Sequence, residues 1–138
     1  MDEIKRFIIV DDDAFSNKIC TMLLKSLYPN IEIKSFDAPE NALSYIKEDY
    51  INLALCYKTI LLLDVNMPTM TGWEFLEAFK DFESEIKNNV CVFILSSSVD
   101  ENDIEKTKKY ACLDFISKPP TTKSIANAVE LAKITLCC

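Results

Sequence analysis

The sequence predicts an α/β fold: a five-stranded parallel sheet covered by helices on both faces, in a doubly wound (βα)5 arrangement. Three observations carry that reading. Short apolar runs alternate, five times over 138 residues, with longer segments whose apolar residues recur at helical spacing. The third and fourth runs, "TILLLD" and "VCVFILS", are too uniformly apolar to have a wet face, as expected of strands buried on both sides. Four of the five runs end in polar residues capable of chemistry, and the carboxyl ends of strands are where an open parallel sheet binds its ligands.

Each element follows in order. Residues 7–10, "FIIV", read as the first strand, and Ala14–Leu27 as a helix with Phe15, Ile19, Met22, Leu23 and Leu27 at helical spacing. Residues 31–36, "IEIKSF", alternate like a short strand. Pro39 suits the first turn of a helix running to about residue 49. Thr59–Asp64 is the third strand, and residues 73–86 form one helix with Phe75, Leu76, Phe79 and Phe82 on one side. Val90–Ser96 is the fourth strand, and residues 102–110 a mostly polar helix. Residues 113–117, "LDFIS", make the fifth strand, and Thr122–Leu136 the last helix, with Ile125, Ala128, Val129 and Ala132 inward. Residues 50–58 have irregular character. The chain reads as one domain over residues 1–138, with no linker or repeat.

Composition narrows the function. A net charge of −7 and a pI near 4.6 argue against direct nucleic-acid binding. No apolar run reaches the roughly 18–20 residues of a membrane span, and "MDEIKRF" lacks the layout of a signal peptide, so a cytoplasmic location is expected. There is no histidine, which excludes Ser-His-Asp and Cys-His machinery and a phosphohistidine on this chain. The six cysteines, Cys20, Cys56, Cys91, Cys112, Cys137 and Cys138, form no C-x-x-C and read mostly as small core fillers. The sole glycine, Gly72, leaves no phosphate-cradling glycine-rich loop.

The strand ends then define a candidate site. Strand one ends in Asp11-Asp12-Asp13, strand three in Asp64, strand four in Ser96-Ser97-Ser98, and strand five in Lys118-Pro119-Pro120. Two carboxylates about 4 Å apart repel by roughly 4 kcal/mol at an effective dielectric of 20, so converging aspartates call for a proton or a cation between them. Hard oxygen ligands without His or Cys favour Mg2+. Lys118 and the Ser96 hydroxyl would serve a phosphate on that metal, and Asp64, a carboxylate at a strand tip, is the candidate covalent acceptor. Pro68 and Gly72 shape the loop that follows it.

The motifs "FIIVDDD", "LLLDVNMPTMTGWEFL", "FILSSS" and "DFISKPP", in this order from about residue 4 to 136, resemble the receiver domain of two-component response regulators. The resemblance implies a flavodoxin-like strand order 2-1-3-4-5. It implies Asp64 as phosphoacceptor, with Mg2+ held by Asp12 directly, Asp11 through water, Asp64 and the backbone carbonyl of Asn66. Asp13 falls outside that first ring of ligands. Ser96 and Phe115 match the two switch positions, Lys118 the phosphate-contacting lysine, and Asn66 and Ser98 the positions that tune phosphoryl lifetime. A cis Lys118–Pro119 bond is also implied. Ala111-Cys112 stands where the family often has Gly-Ala, and Phe115 lacks the hydroxyl of the common tyrosine.

The function implied is a stand-alone signalling domain with no output domain and at most self-catalysed phosphorylation and dephosphorylation. A histidine kinase or histidine phosphotransfer protein would donate the phosphoryl group. The face of the fourth helix, fifth strand and fifth helix would then engage a protein partner, without nucleic acid or membrane. Two rivals stay beside it. A haloacid-dehalogenase-type phosphatase would need a second Asp where Asn66 stands, and a cap insertion. An unphosphorylated pseudo-receiver would keep the fold as a binding module.

Overall fold

The computed structural model describes residues 4–53, 58–98 and 100–136. Its strands are β1 (Arg6–Val10), β2 (Glu32–Phe36), β3 (Thr59–Asp64), β4 (Val90–Ser96) and β5 (Asp114–Ser117). Its helices are α1 (Ala14–Leu27), α2 (Pro39–Leu53), α3 (Gly72–Phe79), α4 (Ser84–Lys87), α5 (Glu101–Lys109) and α6 (Thr122–Leu136). The strands pair in parallel in the order β2-β1-β3-β4-β5, as expected. Cys56, Cys137, Cys138 and residues 54–57 of the stretch expected to be irregular lie outside the described residues, while α2 runs on to Leu53 rather than ending near residue 49.

The sheet has a core on each face because its side chains alternate. Phe7, Ile9, Ile60 and Leu62 pack with α1 and α6, whereas Ile8, Val10, Leu61 and Leu63 pack with α2, α3 and α4. Every residue of β1 and β3 is buried, which explains the unbroken apolar spelling of residues 7–10 and 60–63; the polar ends Arg6, Thr59 and Asp64 are buried too. Edge strand β2 exposes Glu32 and Lys34, charges that suit an unpaired edge. Among the described residues, no helix is long and apolar enough to cross a membrane.

Two helices differ from expectation. The segment at 73–86 is not continuous: α3 ends at Phe79, and Glu83, in extended geometry, starts the short α4. The break lets Phe82 lie against Phe79, at 5.3 Å between ring centroids, while Ile86 is buried. Among the described residues there are therefore six helices rather than five. In α1 the buried residues are Asn17, Cys20 and Leu24, while Phe15, Ile19 and Met22 are 70%, 37% and 62% exposed. The helix carries two parallel apolar stripes, and only one can face the sheet.

The cysteines that are described behave as core residues. Burial pushes the thiols of Cys20 and Cys112 up to about 12 and that of Cys91 to about 11. Ala111, in the turn before β5, has φ of 57°, a left-handed conformation that glycine adopts without strain.

Candidate functional site

The carboxyl ends of β1, β3 and β5 deliver the charged residues to one rim. Asp11 and Asp12 directly follow β1, Asp64 closes β3, and Lys118 follows β5. Asp11, Asp12 and Asp64 each bring a carboxylate oxygen within 4.8 Å of the others. The Lys118 ammonium lies 2.7 Å from Asp11 Oδ2 and 3.4 Å from Asp64 Oδ2. Asp11 and Asp64 are buried and Asp12 is exposed, so the cluster opens to solvent on one side.

Local structure fixes this arrangement. Asp13 caps α1, its carboxylate accepting from the Phe15 and Ser16 amides at 3.0 and 3.4 Å, while its own amide donates to Asp11 Oδ1 at 3.0 Å. It thus orders the acidic turn from outside the cluster. The Asn66 amide donates to Asp64 Oδ1 at 3.1 Å. Gly72 is required by close approach: a Cβ there would sit 2.7 Å from the Asp64 carbonyl oxygen and 2.8 Å from Val65 Cα. Its amide donates to the Val65 carbonyl at 3.1 Å, and Thr71 with Glu74 forms a capping box that starts α3. The sole glycine therefore lets α3 press against the backbone that carries Asp64.

The charges do not balance. Burial pushes the Asp64 carboxyl up to about 6; the Asn66 amide and Lys118 pull the other way, and Asp11 adds to the rise. Burial opposes the Lys118 charge, but the contact with Asp11 and the fields of both carboxylates outweigh it, raising its pKa. One ammonium faces three carboxylates. Asp11 Oδ2, fully buried, accepts no well-aligned hydrogen bond and has only the Lys118 contact to compensate it. An all-oxygen donor set with residual negative charge fits a hard divalent cation of the Mg2+ kind.

The remaining candidates lie around this cluster. Ser96 is buried one residue beyond Leu95, the β3-facing partner of Asp64, and its hydroxyl donates to the Ser98 carbonyl. Ser97 and Ser98 are exposed, as side-chain alternation requires for at least one of them. Phe115 pairs in register with Ile94 and is half-buried against the α2–α3 core. Asn66 is exposed. The Lys118 amide donates to the Ser96 carbonyl at 3.0 Å, tying β5's end to β4's, and the Lys118–Pro119 bond is cis.

Sequence reasoning missed Asn17. Buried on α1, its side-chain amide donates to the Asp11 carbonyl at 2.6 Å and the Phe36 carbonyl at 3.4 Å, pinning the acidic turn to the helix and to β2. A polar residue three before Cys20 and seven before Leu24, on the inward stripe, was the available signal.

Comparison with known proteins identifies the class. The chain belongs to the response regulator receiver domain family, whose model matches residues 7–130. It is 27% identical over 140 residues to the two-component response regulator ORR1 of Oryza sativa subsp. indica, covering 98% of this chain and 58% of that protein. It is 29% identical to the 3',5'-cyclic-nucleotide phosphodiesterase regA of Dictyostelium discoideum, covering 91% of this chain but 15% of that enzyme. The chain thus spans less than two thirds of these relatives. Among solved structures, a two-component response regulator from Cytophaga hutchinsonii superimposes with a TM-score of 0.82 at 27% identity, over 99% of each chain. The Vibrio cholerae chemotaxis protein CheY4 gives 0.76 at 19% identity, over 92% of this chain and 97% of that one, a likeness of fold.

Proposed function

We propose that this chain is a phosphoacceptor: Asp64 takes a phosphoryl group from a phosphohistidine on a histidine kinase or phosphotransfer protein. The observation that carries the reading is the convergence of Asp11, Asp12 and Asp64 within 4.8 Å, with Lys118 touching two of them. In the transfer an Asp64 carboxylate oxygen bonds to phosphorus as the N–P bond breaks, giving an acyl phosphate, and the imidazole leaves to be protonated by water. With its carboxyl pushed up to about 6, Asp64 is still mainly ionised at neutral pH and able to attack. When bound by Asp11, Asp12, Asp64 and the Asn66 carbonyl, Mg2+ supplies positive charge to the phosphoryl oxygens. Lys118 supplies a second positive charge, on a backbone anchored to Ser96.

Signalling follows from charge. Adding a phosphoryl group gives the Ser96 hydroxyl a stronger acceptor than the Ser98 carbonyl it now serves, and Ser96 leads into the face made by α5, β5 and α6. Phe115 sits beside that path. Lacking a hydroxyl, its inward position is stabilised by apolar burial alone. Asn66 and Ser98, both exposed, would govern water access and phosphoryl lifetime. The donor's contact is the exposed stripe Phe15, Ile19 and Met22, which begins two residues after the acidic turn. The chain acts as a signalling domain in the cytoplasm, and its output is protein–protein contact.

The test is intact mass after incubation with Mg2+ and acetyl phosphate. One added phosphoryl group, dependent on Mg2+ and absent from Asp64→Ala, is expected. No gain from acetyl phosphate or from a cognate kinase would sink the reading and leave a binding module that is not phosphorylated.

A further inference from the structure

The end of the sheet opposite the acidic rim holds a second feature of a different character. Between α3, β4 and the end of α5 lies a cavity of about 330 Å3, floored by Phe79, Val90 and Val92 and flanked by Lys80, Lys87 and Lys109. No carboxylate lines it, in a chain whose net charge is −7. The three lysines are not equally committed. Lys80 is held 2.6 Å from Glu77, and Asp81 also acts on it. Lys87 donates one proton to the Lys80 carbonyl at 2.7 Å, which leaves two of its three donors for another partner. Lys109 rests over the Tyr110 ring, with its nitrogen 5.1 Å from the centroid. Glu77, the carboxylate beside the cavity, already serves Lys80 and the Tyr110 hydroxyl, the latter at 2.6 Å. The result is an apolar floor of small-molecule size below three lysines; Glu77 pairs with Lys80 and acts on Lys109 from outside the lining, and Lys87 keeps two donors for a ligand.

We infer that this cavity binds a small amphiphilic anion, an aromatic or medium-chain carboxylate, with its apolar body on Phe79, Val90 and Val92 and its charge toward Lys87 and Lys109. The site reports its own occupancy. Tyr110 lines the cavity and stacks on Trp73, the chain's only tryptophan, at 6.2 Å between centroids and 20° between planes. Lys106 lies over the Trp73 ring at 5.6 Å. A ligand pressed against Tyr110 therefore alters the surroundings of a single fluorophore. Trp73 directly follows Gly72, so the same contact reaches the Asp64 loop.

The experiment titrates the full chain with 4-phenylbutyrate and with the uncharged 4-phenylbutan-1-ol, following Trp73 fluorescence and backbone amide chemical shifts. Saturable binding of the carboxylate, with a Kd of roughly 0.1–1 mM, is expected for a ligand of this size. Its amide shifts should centre on Val90, Val92 and Ala111, and the alcohol should bind about tenfold more weakly. Lys87→Gln with Lys109→Gln should weaken the carboxylate about tenfold and leave the alcohol unchanged. Both lysines contact solvent, so this variant keeps the fold. The inference is overturned by no saturation at 10 mM (roughly tenfold above the expected Kd), by equal binding of both compounds, or by shifts centred away from Val90, Val92 and Ala111. None of these outcomes depends on whether Asp64 is phosphorylated.

Discussion

Two partly buried ion clusters lie at opposite ends of the same central strands and differ in charge. At the foot, Arg6 opens β1 with its guanidinium 2.7 Å from Asp49, its Nε donating to Thr59 Oγ1 at 3.1 Å, and the Tyr45 ring 5.5 Å away. Among the described contacts, the cation meets the Asp49 carboxylate, and the Thr59 and Tyr45 hydroxyls accept from it as well. At the rim, Asp11 and Asp64 close the two strands with Asp12 beside them and Lys118 as the counter-charge. The contrast separates two uses of buried charge. Removing one partner from the matched cluster leaves a charge without its counter-ion, which is strongly destabilising. The unbalanced one is a standing cost to the folded state, which a cation or, on the proposed function, a phosphoryl group would change.

The largest expected effect lies at the foot. Arg6→Met leaves Asp49 facing the core side of α2 without its cation, and breaking such a pair costs about 3 kcal/mol or more. Urea unfolding followed by circular dichroism measures it. A loss below about 1 kcal/mol would place this pair with weak surface bridges and erase the contrast.

At the rim the sign should reverse. Asp64→Asn removes a carboxyl that burial and Asp11 push up to about 6, and without Mg2+ it should stabilise the fold by about 2 kcal/mol. Because the folded-state pKa lies above the unfolded one, this group's contribution is most favourable below pH 4. It is lost as pH rises from about 4 to about 6. Wild-type stability should therefore fall across that window relative to the Asn variant, and millimolar Mg2+ should recover it for wild type alone. Parallel unfolding curves at pH 4.0, 5.0, 6.0 and 7.0 (spanning roughly that window) are the check. Parallel behaviour of the two proteins would mean that the rim carries no electrostatic strain.

The same contrast explains what could be read from the sequence. β3, β4, α1 and α6 have the limits that their apolar spelling gave, and the rim residues follow from strand ends in an open parallel sheet. Three features did not follow. Phe15–Ile19–Met22 and Cys20–Leu24–Leu27 have identical spacing, so periodicity alone cannot choose which stripe of α1 faces the sheet. The end of α3 at Phe79 depends on where Phe82 and Ile86 find room, which is a tertiary matter. The foot cluster joins Arg6 to Asp49 across 43 positions, a distance at which ordinary charges carry no local signal.

A smaller prediction concerns the turn before β5. Ala111 holds φ of 57°, which costs an L-residue roughly 1–2 kcal/mol, and glycine there gives back about 0.4–1 kcal/mol in unfolded-chain entropy. Ala111→Gly should raise stability by roughly 0.5–1 kcal/mol, read as a higher melting temperature. It would show that the foot is stable without being optimised. An unchanged or lower melting temperature would mean that the turn relieves its strain by other means.

The smallest effect on stability, and the most informative about function, is expected on α1 beside the rim. Phe15 and Met22 are largely exposed, so Phe15→Ser with Met22→Ser should change unfolding free energy by no more than about 0.5 kcal/mol. Neither residue is among the Asp64, Lys118 and Ser96 groups that would touch a phosphoryl group, so the rate with acetyl phosphate should be unchanged. On the proposed function, a protein donor would bring its phosphohistidine to the same rim and cover the stripe beside it. Transfer from a kinase or phosphotransfer protein should therefore slow at least about tenfold in kcat/KM, as expected when apolar anchors leave an interface. Equal slowing with acetyl phosphate would mean that the substitutions disturb the Asp11–Asp13 turn through α1. No slowing with either donor would place the docking surface elsewhere and leave the stripe an ordinary exposed face.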